Sequence, residues 1–238
     1  VFARSVADAA LIADVLVGHD DRDPATVPRP WPDLAATAGA APPLDPILAV
    51  VRTARWPEAE PDLATGFEEL RTALGDAADD VTLPTPFDAI WDLHRDIMLP
   101  DLAVSFARFE ARGADRLSAR LREMLEAGRQ TSATSHVRAQ RERERLRAGI
   151  EAVFERFDAI LTPAVRGEAP EGLAATGDPV FCTPWTYLGL PAITLPLLVG
   201  ANGLPIGVQL VGRRDDDGRL LRTARWLVAS LTAEAIHA

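Results

Sequence analysis

The sequence predicts an α/β fold, a mixed β-sheet flanked by helices. Three observations carry it. Short apolar runs alternate with amphipathic helical stretches along the 238 residues. Residues 47–83 give a strand–helix–strand rhythm of about 35 residues, the spacing of a parallel βαβ unit. The Asn202-Gly203 pair between two apolar runs signals a β-hairpin, which makes the sheet mixed. The whole of 1–238 reads as one α/β unit with a helical excursion at about 87–156.

The first element is a helix over Val6–Val17, where only Asp8 and Asp14 are polar. Ser5 followed three residues on by Asp8 resembles a capping box, and Gly18 is placed for a left-handed stop. His19-Asp20-Asp21-Arg22-Asp23-Pro24 reads as a polar exit turn. A helix so apolar on most sides needs cover from other elements. Residues 23–46 contain seven prolines and read as a surface crossing. Ile47–Val51 is a buried strand. Pro61 opens a helix whose Leu63, Phe67, Leu70 and Leu74 share a face, and Gly75 ends it. Val81–Leu83 is the second strand.

Residues 87–157 read as helical, with Phe87, Ile90, Trp91, His94 and Ile97 on one face and Leu117, Leu121, Met124 and Leu125 on another. The Arg/Glu-rich stretch near 138–147 reads as a solvated face with i,i+4 pairs. Ala159–Thr162, Ala192–Leu195 and Ile206–Val211 are the remaining strands. A final amphipathic helix over Arg219–Leu231 uses Leu220, Ala224, Leu227, Val228 and Leu231.

Composition narrows the function classes. The net charge of −10 with no basic cluster excludes a nucleic-acid partner, which requires a cationic footprint. No apolar run approaches the ~18 residues of a membrane span, so no membrane partner is expected. The single cysteine, Cys182, permits no internal disulfide and points to a reducing cytoplasm. Neither GxxxxGK[ST] nor GxGxxG occurs. His19, His94, His136 and His237 are scattered, so no metal and no cofactor is expected. The serines Ser5, Ser105, Ser118, Ser132, Ser135 and Ser230 sit in no G-x-S-x-G elbow or glycine-rich turn. Ser5, Ser132 and Ser135 are better placed as helix caps. Every basic residue is arginine; the sequence contains no lysine.

Three blocks resemble amidase signature enzymes, in the order of that family: Ala3–Pro24 (ARSVADAALIADVLVGHDDRDP), Phe157–Ala164 (FDAILTPA) and Gly177–Leu227, beginning GDPVFCTPWTYLGLPAITLPLLVG. The resemblance implies the C-terminal part of an amidase that hydrolyses a carboxylic amide through an acyl-serine intermediate. It implies that the glycine- and serine-rich signature lies in an N-terminal half preceding Val1. That half would carry the catalytic lysine, a bridging serine held by a cis peptide, and the nucleophile. A chain with no lysine and no such stretch is expected to carry no catalytic residue and to be inactive alone. Its partners would be a small amide substrate and that missing half, with a homodimer as a further possibility. A start on Val1 rather than methionine, ahead of a helix that needs cover, agrees with such a fragment.

The resemblance also assigns substrate-binding residues. The segment Cys182-Thr183-Pro184-Trp185-Thr186-Tyr187-Leu188-Gly189-Leu190-Pro191 matches the family's acyl-pocket wall, so Cys182 and Trp185 are expected to line a cavity or groove. The plainer readings stand beside this one: Cys182 as a small buried hydrophobe, and Trp185 as core. Family members often have asparagine where this chain has Thr186. The alternative function is a non-catalytic α/β module, derived from an amidase, that binds a ligand or a partner.

Overall fold

The computed structural model describes residues 1–23 and 25–237; Pro24 of the expected exit turn and the side chain of His237 lie outside the described residues. The chain groups into two compact units. One comprises Val1–Thr82, Val153–Phe181 and Leu190–Ala238, and the other Leu83–Ala152 and Cys182–Gly189. The expected helical excursion falls mostly in the second.

The first unit is built on a five-stranded sheet of order β2-β1-β3-β5-β4. Its strands are β1 (Leu48–Val51), β2 (Ala78–Val81), β3 (Ala159–Pro163), β4 (Ala192–Val199) and β5 (Pro205–Val211). β1 pairs in parallel with β2 and with β3, and β5 pairs antiparallel with β3 and β4. The sheet is mixed, as the sequence predicts. Central strands β1 and β3 are buried along their whole length, which explains their unbroken apolar runs.

β2 starts three residues earlier than expected, at Ala78 rather than Val81. The apolar signal misses it because Asp79 and Asp80 are exposed on an edge strand, where charge is tolerated. Asp80 accepts from Arg52 and Arg71, and the Arg52 hydrogen bond is the main cause that holds its carboxyl below the ordinary value. β4 is the opposite edge. It carries Pro196, which an edge strand accommodates, and its register slips between Leu195 and Leu198.

Helix α1 spans Val6–Leu16, with the Ser5 hydroxyl accepting from the Asp8 N–H at 3.1 Å. Gly18 is not its stop. Val17 caps the helix in an extended conformation, its N–H closing on Ala13. The expected surface crossing contains a short helix α2 (Leu34–Gly39), capped by Asp33. Ala10, Leu34, Ala38 and Leu221 form a small core against which Val6, Ala13, Val17 and Ile193 pack. The rest of α1 is uncovered: Val15 is 80% and Leu16 69% exposed, with Leu11 and Ile12 exposed beside them. Helix α3 (Pro61–Leu74) matches its sequence reading closely, from Pro61 in the first turn to Gly75 at φ 49°. Leu63, Phe67, Leu70 and Leu74 are all buried.

The second unit holds α4 (Ile90–Gly113), α5 (Ala119–Gln130), most of α6 (Ala133–Phe154) and α7 (Thr183–Leu188). The buried residues of α4 begin with Ile90 and Leu93, while Trp91, His94 and Ile97 are only half-buried. α5 passes so close to α4 that a Cβ on Gly128 would lie 2.1 Å from the Leu99 carbonyl oxygen. Ion pairs along α6 include Glu142–Arg145 at 3.5 Å and Glu144–Arg147 at 2.7 Å. The C-terminal helix α8 (Asp217–His237) belongs to the first unit and buries Leu220, Leu221, Thr223, Ala224 and Leu227.

Candidate functional site

The segment expected to wall a pocket is a short helix, not the irregular stretch that its prolines suggest. Cys182 is the residue before α7, Pro184 sits in the first turn where its missing N–H costs nothing, and the Thr186 N–H bonds the Cys182 carbonyl at 3.1 Å. Gly189 ends the helix in the left-handed region at φ 65° and ψ 39°, with its N–H on the Thr186 carbonyl. Within the same unit Arg147 Nε donates to the Leu188 carbonyl at 2.6 Å. The Tyr187 hydroxyl donates to the Ala139 carbonyl at 2.6 Å. Burial pushes the Tyr187 phenol up to about 12.

Four of the six α7 residues face inward: Pro184, Trp185, Tyr187 and Leu188 are buried. Trp185 is 1% exposed. Its indole N–H is nonetheless unpartnered, a costly state for a buried donor. Cys182 is partly buried and Thr186 is exposed. A cavity of about 760 Å³ lies elsewhere, in the first unit, where Phe2, Arg4, Thr194, Pro196, Arg225 and Val228 are among its lining. Neither Cys182 nor Trp185 lines it.

The polar side chains outside this segment have structural tasks. Ser5, Ser118 and Ser132 accept helix-start N–H groups. Ser132 also donates to Ser135, and Ser230 donates to the Trp226 carbonyl. His19 bonds Thr26 and Asp21 in the exit turn. Burial lowers the pKa of the His94 imidazole. Among the described residues no group of three or more His, Cys, Asp or Glu could hold a metal ion, and no helix is long and apolar enough to cross a membrane. The sequence reading missed Gln209, a buried amide within β5. A polar residue inside the apolar run Ile206–Val211 was the available signal.

Comparison with known proteins accounts for this arrangement. The Amidase family model matches residues 1–221, and the chain belongs to that family. It is similar to a component of the glutamyl-tRNA(Gln) amidotransferase of Salinispora tropica, with 29% identity over 261 residues, covering 93% of this chain and 53% of the relative. A putative amidase, AmiD, of Mycobacterium tuberculosis is 29% identical over 245 residues, covering 92% of this chain and 48% of the relative. The solved structure of 6-aminohexanoate cyclic dimer hydrolase has the same fold, with a TM-score of 0.75 at 23% identity over 97% of this chain and 54% of that one. The chain therefore spans about half the length of the curated relatives it matches.

Proposed function

We propose that this chain is the C-terminal part of an amidase that hydrolyses a carboxylic amide to an acid and ammonia or an amine. The family match over residues 1–221 is the observation that carries the reading. The chain would supply sheet and pocket wall. The nucleophilic serine, the bridging serine and the lysine would lie in the half of the relatives' length that this chain does not span. Its own residues agree with that division. It has no lysine, and five of its six serines serve as caps or bond within helices and their starts.

Cys182 and Trp185 are proposed to line the acyl side of the substrate. Support comes from the match of their segment to the family's pocket wall and from the indole N–H of Trp185, a buried donor with no acceptor among the described residues. The exposed apolar face of α1, with Leu11, Ile12, Val15 and Leu16, supports a second surface that associates with the remaining half or with another copy. The single cysteine supports a reducing cytoplasm as the setting.

The test is to express the whole coding sequence that contains this chain and assay it on aryl and aliphatic amides. Turnover is expected, with a trapped acyl group on a serine outside residues 1–238. Trp185→Ala in that enzyme should change the ranking of acyl groups. An unchanged ranking would remove Trp185 from the site, and an absence of turnover on every amide would overturn the reading.

A further inference from the structure

A glutamine in the middle of a buried strand must place its amide somewhere, since an unsatisfied buried donor is costly. Gln209 is 2% exposed. Its Nε2 donates to two main-chain carbonyls, Pro163 at 2.7 Å and Phe181 at 3.0 Å. The two acceptors are the ends of one loop. Pro163 is the last residue of β3, and Phe181 directly precedes Cys182. One side chain thus closes the long connection 164–180 at its base.

The surroundings suit this task. Gln209 stands opposite Thr162 on β3 and Thr194 on β4, so the three side chains form a row across the sheet on one face. Ile193 and its opposite residue Leu210 lie on the other face, where Ile193 packs against Ala10, Leu34, Ala38 and Leu221. Gly207, on the Gln209 face, leaves room for that row: a Cβ there would come within 2.7 Å of the Thr194 methyl group. The loop is also held in its first third, where Glu168 accepts from the Asn202 and Leu204 N–H groups. Near its exit Gln209 donates to the Phe181 carbonyl, and the Asp178 carboxylate accepts the Val180 N–H at 3.0 Å.

We infer that Gln209 is a positioning residue for Phe181, the residue directly before the wall segment Cys182–Pro191, holding the exit of the connection 164–180 to the end of β3. The inference rests on the proposed role of that segment in acyl recognition, but its test needs no turnover. Cys182 is the only cysteine, so its alkylation rate reports the segment directly. Gln209→Met keeps the volume and removes both donors. It should raise the rate of Cys182 alkylation about tenfold, the ratio expected for one to two net hydrogen bonds lost. Ile206→Val, which trims a methyl group from the same strand and touches neither carbonyl, should leave the rate near that of the parent chain. Equal rates in the two variants would overturn the inference. Should Gln209→Met fail to fold, proton exchange at the Gln209 side-chain amide in the unaltered chain decides. Both protons are expected to exchange at least about a hundredfold more slowly than those of the exposed Asn202. Fast exchange of either would show that the clamp is not made.

Discussion

His136 Nδ1 lies 3.2 Å from the carbonyl oxygen of Asp96, the one carbonyl of α4 that Pro100 leaves without a helical donor. A carbonyl can only accept, so Nδ1 carries the proton. Nε2 is then free to accept from Gln140 Nε2 at 2.8 Å. A proline break in one helix and a histidine on another are thus a matched pair. His136→Leu should cost about 1 kcal/mol of stability, measured by denaturant unfolding. In a Pro100→Ala background the helix supplies its own donor, and the same substitution should cost clearly less. Equal losses in the two backgrounds would show that the pair is not coupled.

Tyr187 gives a second stability test, with a sign that follows from its pKa. Burial raises the phenol from 10.0 to about 12 because it disfavours the charged phenolate. Between those values the unfolded chain has already lost the proton and the folded chain has not. Stability is therefore full below pH 10 and falls as the pH rises towards 12. Tyr187→Phe should remove that alkaline decline and cost about 1 kcal/mol at neutral pH, the net value of one hydrogen bond, since the Ala139 carbonyl keeps its helical donor within α6. A Tyr187→Phe chain with the parent's alkaline decline would contradict the assignment.

Gly189→Ala tests the end of α7. The residue is left-handed at φ 65°, and an added Cβ would sit 2.6 Å from Arg147 Nη2, displacing the guanidinium that holds Leu188. The conformation alone costs about 1–2 kcal/mol, so a loss of at least that size is expected. A loss near zero would mean that the turn can re-form without glycine.

The uncovered face of α1 predicts association. Leu11, Ile12, Val15 and Leu16 are all exposed on one short helix, an apolar surface of the kind that usually finds a partner. Sedimentation of the chain alone should show a mass that rises with concentration. Val15→Glu with Leu16→Gln should return it to a monomer without loss of helix content. A strictly monomeric parent chain would contradict this.

Legibility in the sequence followed burial. β1, β3 and α3 are legible because Leu48–Val51, Ala159–Thr162 and the Leu63–Phe67–Leu70–Leu74 stripe sit in full or one-sided burial, where pattern and structure coincide, although Ile47 ahead of β1 is exposed. β2 was misplaced because an edge strand can carry Asp79 and Asp80, and α2 was hidden among prolines that flank it without entering it. Trp185 is assigned through its segment alone, and the contacts that end α7, the Gly189 turn and the Arg147 bond to Leu188, join residues far apart in sequence. Gln209 went unread for the same reason, since its acceptors stand 46 and 28 residues away.

Amide hydrolysis by the isolated chain is the most direct measurement of the central claim, that this part of an amidase shapes a site whose chemistry resides elsewhere. Removing the reacting groups of a serine hydrolase costs on the order of 10⁶ in kcat, and this chain contains no lysine. Purified residues 1–238, assayed against aryl and aliphatic amides, should release no product above buffer. Turnover by this chain alone, abolished by Ser132→Ala or Cys182→Ala, would contradict it.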